Sequence, residues 1–146
     1  MPSADLMLRL LLAGGLGSVL GLERELRRSP AGLRTHILIA LGAALFTLVS
    51  IEIAGGTPDR IAAQVVTGVG FLGGGAILRS AKSIHGLTTA ATIWVTAAIG
   101  MAAGAGQFAV ATAATVVTLF VLAVLPPIEA YFERRAGIDD RNHRAG

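Results

Sequence analysis

The sequence predicts an all-α fold, a polytopic membrane helix bundle of about five transmembrane helices, with the N-terminus outside and the C-terminus cytoplasmic. Three observations carry that expectation. Hydrophobic residues make up 53% of the chain and charged residues only 14%, where soluble domains carry roughly 25% charged residues. The mean hydropathy of +0.70 agrees. The apolar residues fall into five runs, each near the roughly 20 residues a spanning helix needs. The basic residues sit between those runs, strongly biased to one side.

The first run extends from about Leu6 to Leu22, with Arg9 near enough to its end to snorkel. It imitates a secretory signal, but its basic cluster (Arg24, Arg27, Arg28) follows the apolar stretch instead of preceding it. The second run extends from about Pro30 to Ala54, with Ser29 expected to cap it and Pro30 to suit its first turn. The third opens at Thr57-Pro58-Asp59, a helix start built from a hydroxyl, a proline and an acid at the positive dipole end, and continues to about Leu78. The fourth runs from about Leu87 to Gly104. The fifth runs from about Phe108 to Leu125, where Pro126-Pro127 is expected to end or kink it. Residues 1–127 thus read as the bundle and 128–146 as a polar cytoplasmic tail.

Orientation follows from the arginines and lysines. Arg24, Arg27, Arg28 and Arg34 flank the first connection, Arg79 and Lys82 the third, and Arg134, Arg135, Arg141 and Arg144 lie in the tail. Only Arg9 and Arg60 fall on the other side, a ratio of ten to two. Such asymmetry marks the cytoplasmic face, and an odd number of spans is what places the two termini on opposite sides.

Lipid tails are as apolar as leucine, so helices associate in a membrane through close backbone approach and interhelical hydrogen bonds. Gly17 and Gly21 stand in GxxxG spacing on the first helix, as do Gly70 and Gly74 on the third. On the fourth, Gly100 and Gly104 continue the four-residue step of Thr88, Thr92 and Thr96, and the fifth carries Thr112, Thr115 and Thr118. These are packing signals, and the glycine pairs also suit self-association into a homo-oligomer. The run Gly73-Gly74-Gly75 has a sharper reading. Each glycine costs about 1 kcal/mol of helix propensity, so the third helix could break there and expose carbonyls to a cavity.

Several function classes drop out. The pI near 10.6 does not point to nucleic acid, because the basic residues lie in short loops and not on one soluble face. With no cysteine, thiolate metal sites are excluded. His36, His85 and His143 are scattered without metal-ligand spacing, and the glycine-rich run lacks the Lys-Ser/Thr ending of a phosphate loop. An enzyme is therefore not expected.

Mg²⁺ takes hard oxygen ligands, usually one or two carboxylates with waters. Glu52 and Asp59 fall at the outer end of the second and third helices, where they could gather a hydrated cation; equally, Asp59 could cap a helix and pair with Arg60. At the inner face Glu23, Arg24, Glu25, Arg34, Thr35 and His36 cluster, either solvated among headgroups or tying the loop to the bundle. Arg60, Gln64 and Gly68 recur at steps of four. Gln64, Gly68, Gly70 and Gly73 are expected to line a functional face on the third helix, with Asp59 and Arg60 at its outer mouth and Thr88 and Thr89 nearby.

Three stretches carry a family resemblance. They are Arg60 to Gly75 (RIAAQVVTGVGFLGGG), Gly86 to Trp94 (GLTTAATIW) followed by Ala97-Ala98-Ile99-Gly100, and the first connection, GLERE from Gly21 and GLRTH from Gly32. Together they resemble the MgtC/SapB family over about Leu10 to Leu125. Thr57 stands where that family often has Asp, and Gly74 where it usually has Ala. Many members also carry a soluble C-terminal domain beyond the membrane part. The resemblance implies a bacterial inner-membrane protein linked to growth at low magnesium and to stress survival. It leaves two readings open: a small regulator of another membrane protein, such as a membrane ATPase, or a transporter or channel for Mg²⁺ or another cation. Mg²⁺ would then be a ligand or the transported ion, and the lipid bilayer a constant partner. No ionisable residue lies at mid-membrane, where coupled transporters usually need one, and this favours the regulator.

Overall fold

Five helices form in chain order in the computed structural model, which describes residues 2–53, 58–79 and 84–135; side chains at 58–62, 78–79, 84–85 and 133–135 lie outside that description. They are α1 (Ser3–Leu26), α2 (Leu33–Glu52), α3 (Pro58–Ala76), α4 (Leu87–Gly104) and α5 (Phe108–Arg135). A two-residue antiparallel pair, β1 (Leu78–Arg79) and β2 (Ile84–His85), joins α3 to α4. Among the described residues, α1, α2, α4 and α5 are long and apolar enough to cross a membrane; α3, diluted by glycine, is not among those four.

The 18 residues of α4 span about 27 Å at 1.5 Å per residue, close to the thickness of a hydrocarbon core. This helix is the centre of the bundle and packs against α1, α2, α3 and α5. Its buried side, including Thr92, Thr96, Ile99, Gly100 and Ala103, is made of small and β-branched residues. One core cluster joins Ala13 and Leu20 of α1, Ala44 of α2, Ile99 and Ala103 of α4, and Ala111 and Leu122 of α5. A second joins Ala43, Val65 and Ala97 and ties α3 to α2 and α4. With alanine dominating both clusters, the bundle is held by backbone proximity and dispersion rather than by large interlocking side chains.

Two helix ends close the same way. At the end of α1 the Ser29 N–H donates to the Arg24 carbonyl (2.9 Å) and the Arg28 N–H to that of Glu25 (2.9 Å), with Arg28 at φ 55°. At the end of α4 Gln107 donates to Ala102 (2.9 Å) and Gly106 to Ala103 (3.0 Å), with Gly106 at φ 78°. Both are paired closures through a left-handed residue, and only the second places glycine there. Gly86, the residue before α4, has φ 89° and lies so close to Ala76 that no side chain would fit.

Several expectations change. The start of α2 is not capped by Ser29, and Pro30 lies outside the helix. The cap position is Gly32, and the Glu25 carboxylate reaches across to accept the Leu33 N–H at 3.0 Å. Ser29 instead shares a hydrogen bond with Thr89 of α4 at 3.1 Å. The run Gly73-Gly74-Gly75 does not break α3, which continues to Ala76. Contact with α4 through Val65, Val69 and Gly73 supplies what propensity lacks. Nor do Pro126 and Pro127 end α5, which runs on to Arg135. Proline's fixed φ is itself helical, and Ile128, Tyr131 and Phe132 extend the apolar surface beyond it.

Candidate functional site

Two regions contain most of the sequence candidates: the junction of α1 with α2, and the outward side of α3. The junction is built by close approach. Were Gly17 to carry a Cβ, it would lie 2.8 Å from both the Ala40 Cβ and the His36 carbonyl oxygen; one on Gly21 would lie 2.8 Å from the Leu33 Cα. Either would force the helices apart. Gly100 and Gly104 of α4 meet α2 in the same way, each would-be Cβ 2.8 Å from the Cα of Ala40 and Ala44 respectively. All four of these glycines are therefore consumed inside the chain. Self-association through Gly17 and Gly21 does not fit this arrangement, because that face already holds α2.

This approach buries polar groups where α1 ends and α2 begins. Arg24 is 7% exposed and donates through Nε to Glu23, whose other oxygen lies 3.3 Å from Arg27 Nε. His36 is fully buried and its Nδ1 lies 3.0 Å from the Gly32 carbonyl oxygen. Its Nε2 has no hydrogen-bond partner among the described residues. Thr35 is half-buried, while Arg34 is exposed. Glu23, Arg24 and His36 thus form a built cluster that ties the loop to the bundle, while Glu25 and Arg34 of the same group are exposed, Glu25 still accepting the Leu33 N–H.

On α3 the structure separates residues expected to share one face. Successive helical residues turn by about 100°, so Gly68 and Gly70 point away from one another. Gln64 and Gly68 line a groove between α2 and α3. Gly73 is buried with its would-be Cβ 3.5 Å from the Ala90 carbonyl oxygen. A Cβ at Gly70 or Gly74 would meet nothing within 4 Å among the described residues, and Phe71 beside them is 84% exposed. Thr88 is exposed; Thr89 is buried on Ser29. Glu52 is exposed at the end of α2. The side chains of Asp59 and Arg60 lie outside the described residues.

Arg9 ties α1 to the end of α4, although its sequence context suggested only snorkelling. Its Nη1 donates to the Gly104 carbonyl at 2.9 Å while its Nε lies 3.0 Å from Asp5. A cation there satisfies the negative end of the α4 dipole. The signal available was Arg9 at a four-residue step from Asp5, but its target across 95 positions had none.

A helix bundle with apolar spans, backbone-close interfaces and charged ends defines a polytopic membrane protein. The chain belongs to the MgtC family, whose model matches residues 10–131. It is 50% identical over 131 residues to the Escherichia coli K12 protein named "Putative magnesium transporter YhiD", covering 84% of this chain and 61% of that one. It is also 50% identical over 113 residues to "Protein MgtC" of Salmonella typhimurium strain 14028s, covering 77% of this chain and 49% of the relative. An uncharacterized protein of Synechocystis is 44% identical over 130 residues, covering 88% of this chain and 56% of its own length. The chain therefore spans about half to three fifths of the length of these curated relatives. No solved structure matches.

Proposed function

We propose that this MgtC-family membrane protein acts in bacterial magnesium homeostasis as a small regulator in the inner membrane, docking α3 on a partner membrane protein. The observation that supports this reading is the open side of α3. Gly70 and Gly74 stand in GxxxG spacing, and a Cβ on either would meet nothing within 4 Å among the described residues, a surface suited to a second helix in lipid. The interior hydroxyls agree with a bundle packed for contact rather than conduction. Thr92, Thr96, Thr115 and Thr118 each donate to a carbonyl of their own helix, at 2.7–3.0 Å. Survival under host or acid stress and a membrane ATPase as partner belong to the same reading.

The second reading is transport of Mg²⁺ or another cation. It draws on the name of the Escherichia coli relative and on Glu52 and Asp59 near the outer end of α2 and α3. One comparison separates the two. Gly70→Leu and Gly74→Leu proteins are tested for growth support at limiting Mg²⁺ in a host lacking its own family member, and the unchanged protein in liposomes is tested for Mg²⁺ flux with an enclosed dye. A regulator loses growth support in both variants and shows no flux. Flux from the unchanged protein, or full growth support from both well-expressed variants, would overturn it. Orientation belongs to the same proposal: a reporter that fluoresces only in the cytoplasm, fused after Gly146, is expected to light up, and a dark fusion with a periplasmic signal would reject the inside C-terminus.

A further inference from the structure

We infer that the groove between α2 and α3 is a binding site for one anionic phospholipid, with its phosphate at Arg34 and an acyl chain along Leu38, Gly42, Gly68 and Leu72. The groove has a volume of about 670 Å³, within the roughly 300–1,000 Å³ range of small-molecule sites. Its floor is the contact of Ala43 with Val65, and its walls are the larger side chains Leu38, Phe46 and Leu72. Gly42 and Gly68 both line it, and a Cβ on either would meet nothing within 4 Å. The space is therefore a slot left by two missing side chains.

Charge identifies the occupant. Arg34, Leu38, Gly42 and Phe46 step by four along α2, so the arginine stands on the stripe that continues into the groove. Side chains on a helix lean towards its N-terminus, which carries the guanidinium out of the groove's apolar end to headgroup level. The other charges around it are already matched. Glu23 holds Arg24 and Arg27, and Glu25 holds the first N–H of α2. Arg28 and Arg34 have no ion-pair partner among the described residues. The positive end of the α2 dipole adds to the attraction for a phosphate. Basic pockets between membrane helices at a cytoplasmic face are suited to anionic headgroups.

A second helix fits this slot less well. Helix contacts in lipid use small residues that let backbones meet, whereas here Leu38, Phe46 and Leu72 stand on either side of the glycines and hold another backbone away. Gln64 lines the far end of the groove. It lies near the N-terminus of α3, so its amide leans towards the outer interface and away from the acyl path. The face formed by Gly70 and Gly74 points elsewhere, so this site is separate from the proposed partner surface.

The test uses the purified full chain, reconstituted in vesicles of equal parts phosphatidylglycerol and phosphatidylcholine with matched chains, then released gently and weighed by native mass spectrometry. The unchanged protein is expected to retain one lipid per chain, with phosphatidylglycerol preferred by roughly fivefold or more, as one basic residue near the membrane surface supplies. Arg34→Gln, at an exposed position, is expected to remove the preference while keeping some lipid. Gly68→Leu fills the slot and is expected to lower retention of both lipids, with circular dichroism confirming the helix content. Equal retention of the two lipids by the unchanged protein would overturn the site. So would a preference that survives both substitutions, or a lipid-free dimer that Gly68→Leu dissociates, which would assign the groove to a second copy.

Discussion

The glycines of α1 and α4 and those of α3 look alike in sequence and do opposite things. Gly17, Gly21, Gly100 and Gly104 let backbones meet, each with a neighbouring atom within 2.8 Å of where a Cβ would stand. A Cβ on Gly68, Gly70, Gly74 or Gly75 would meet nothing within 4 Å among the described residues. A glycine spaced for helix association is therefore a permission to approach, and only the partner helix decides whether it is used. In this bundle α2 uses the first set twice, on α1 and on α4. The second set costs helix propensity without any return inside the chain, which is why α3 is the place to look for an outside partner.

The largest expected effect tests this contrast directly. Gly100→Leu must displace α2 from α4 at the centre of the bundle, and overpacking of this kind typically costs about 1–3 kcal/mol or more. Gly74→Leu meets open space and replaces a poor helix former, so it is expected to leave stability unchanged or raise it by about 1 kcal/mol. Thermal unfolding in one detergent, followed by circular dichroism, compares the two. Equal losses would mean that the α3 face is as closed as the α4 face.

The connection from α1 to α2 provides the next largest effect. Glu25→Ala removes the carboxylate that accepts the Leu33 N–H, and losing such a cap costs about 1 kcal/mol. Gly32→Ala acts on the same bond from the other side, since its Cβ would collide with that carboxylate. The side chain can swing away, so the cost is again the lost cap. The double variant is therefore expected to be no worse than either single one, and additive losses in denaturant titrations would show that Gly32 serves a different purpose. Arg28→Gly at the same connection is expected to stabilise. Arg28 sits at φ 55°, where a residue with a Cβ is held at a cost of about 1–2 kcal/mol, partly offset by the greater chain entropy of glycine. A fall in melting temperature would mean that the Arg28 side chain makes a contact worth more than its strain.

The helices and the membrane class were legible because they depend on local pattern. The apolar run from Leu87 to Gly104 matches α4 residue for residue. The MgtC/SapB motifs likewise sat within contiguous stretches. What was not legible required distance information. Glu25 caps a helix eight positions on, and Arg9 closes one 95 positions on; neither leaves a trace in spacing. Ser29 and Pro30 looked like a helix start, yet the close α1–α2 contact at Gly21 and Leu33 sets where α2 begins. The α3 candidates failed to converge for a simpler reason. Gly68 and Gly70 were grouped by composition, although 100° per residue already places them on opposite sides, and only the contact with Ala90 sets Gly73 apart from Gly70. The proline pair shows the remaining limit: a helix breaker is overruled when apolar surface continues beyond it.

The smallest effect concerns the threonine ridge of α4, which in sequence resembled a set of interhelical hydrogen bonds. Thr96 is fully buried, but its hydroxyl donates to the Thr92 carbonyl of its own helix at 2.7 Å. That carbonyl also sits where it can accept the backbone N–H four residues on, so removing the hydroxyl orphans no acceptor. Valine has nearly the same shape, and its methyl group takes the place of the oxygen among apolar neighbours. Thr96→Val is therefore expected to change stability by less than about 0.6 kcal/mol, the average measured for polar contacts between membrane helices. Denaturant titration beside Gly100→Leu, one turn further along the same face, makes the comparison internal. A loss above about 2 kcal/mol would mean that the hydroxyl is an interhelical tie. The bundle would then be held by polar bonds as well as by close backbones, and the contrast between closed and open glycines would no longer explain its stability alone.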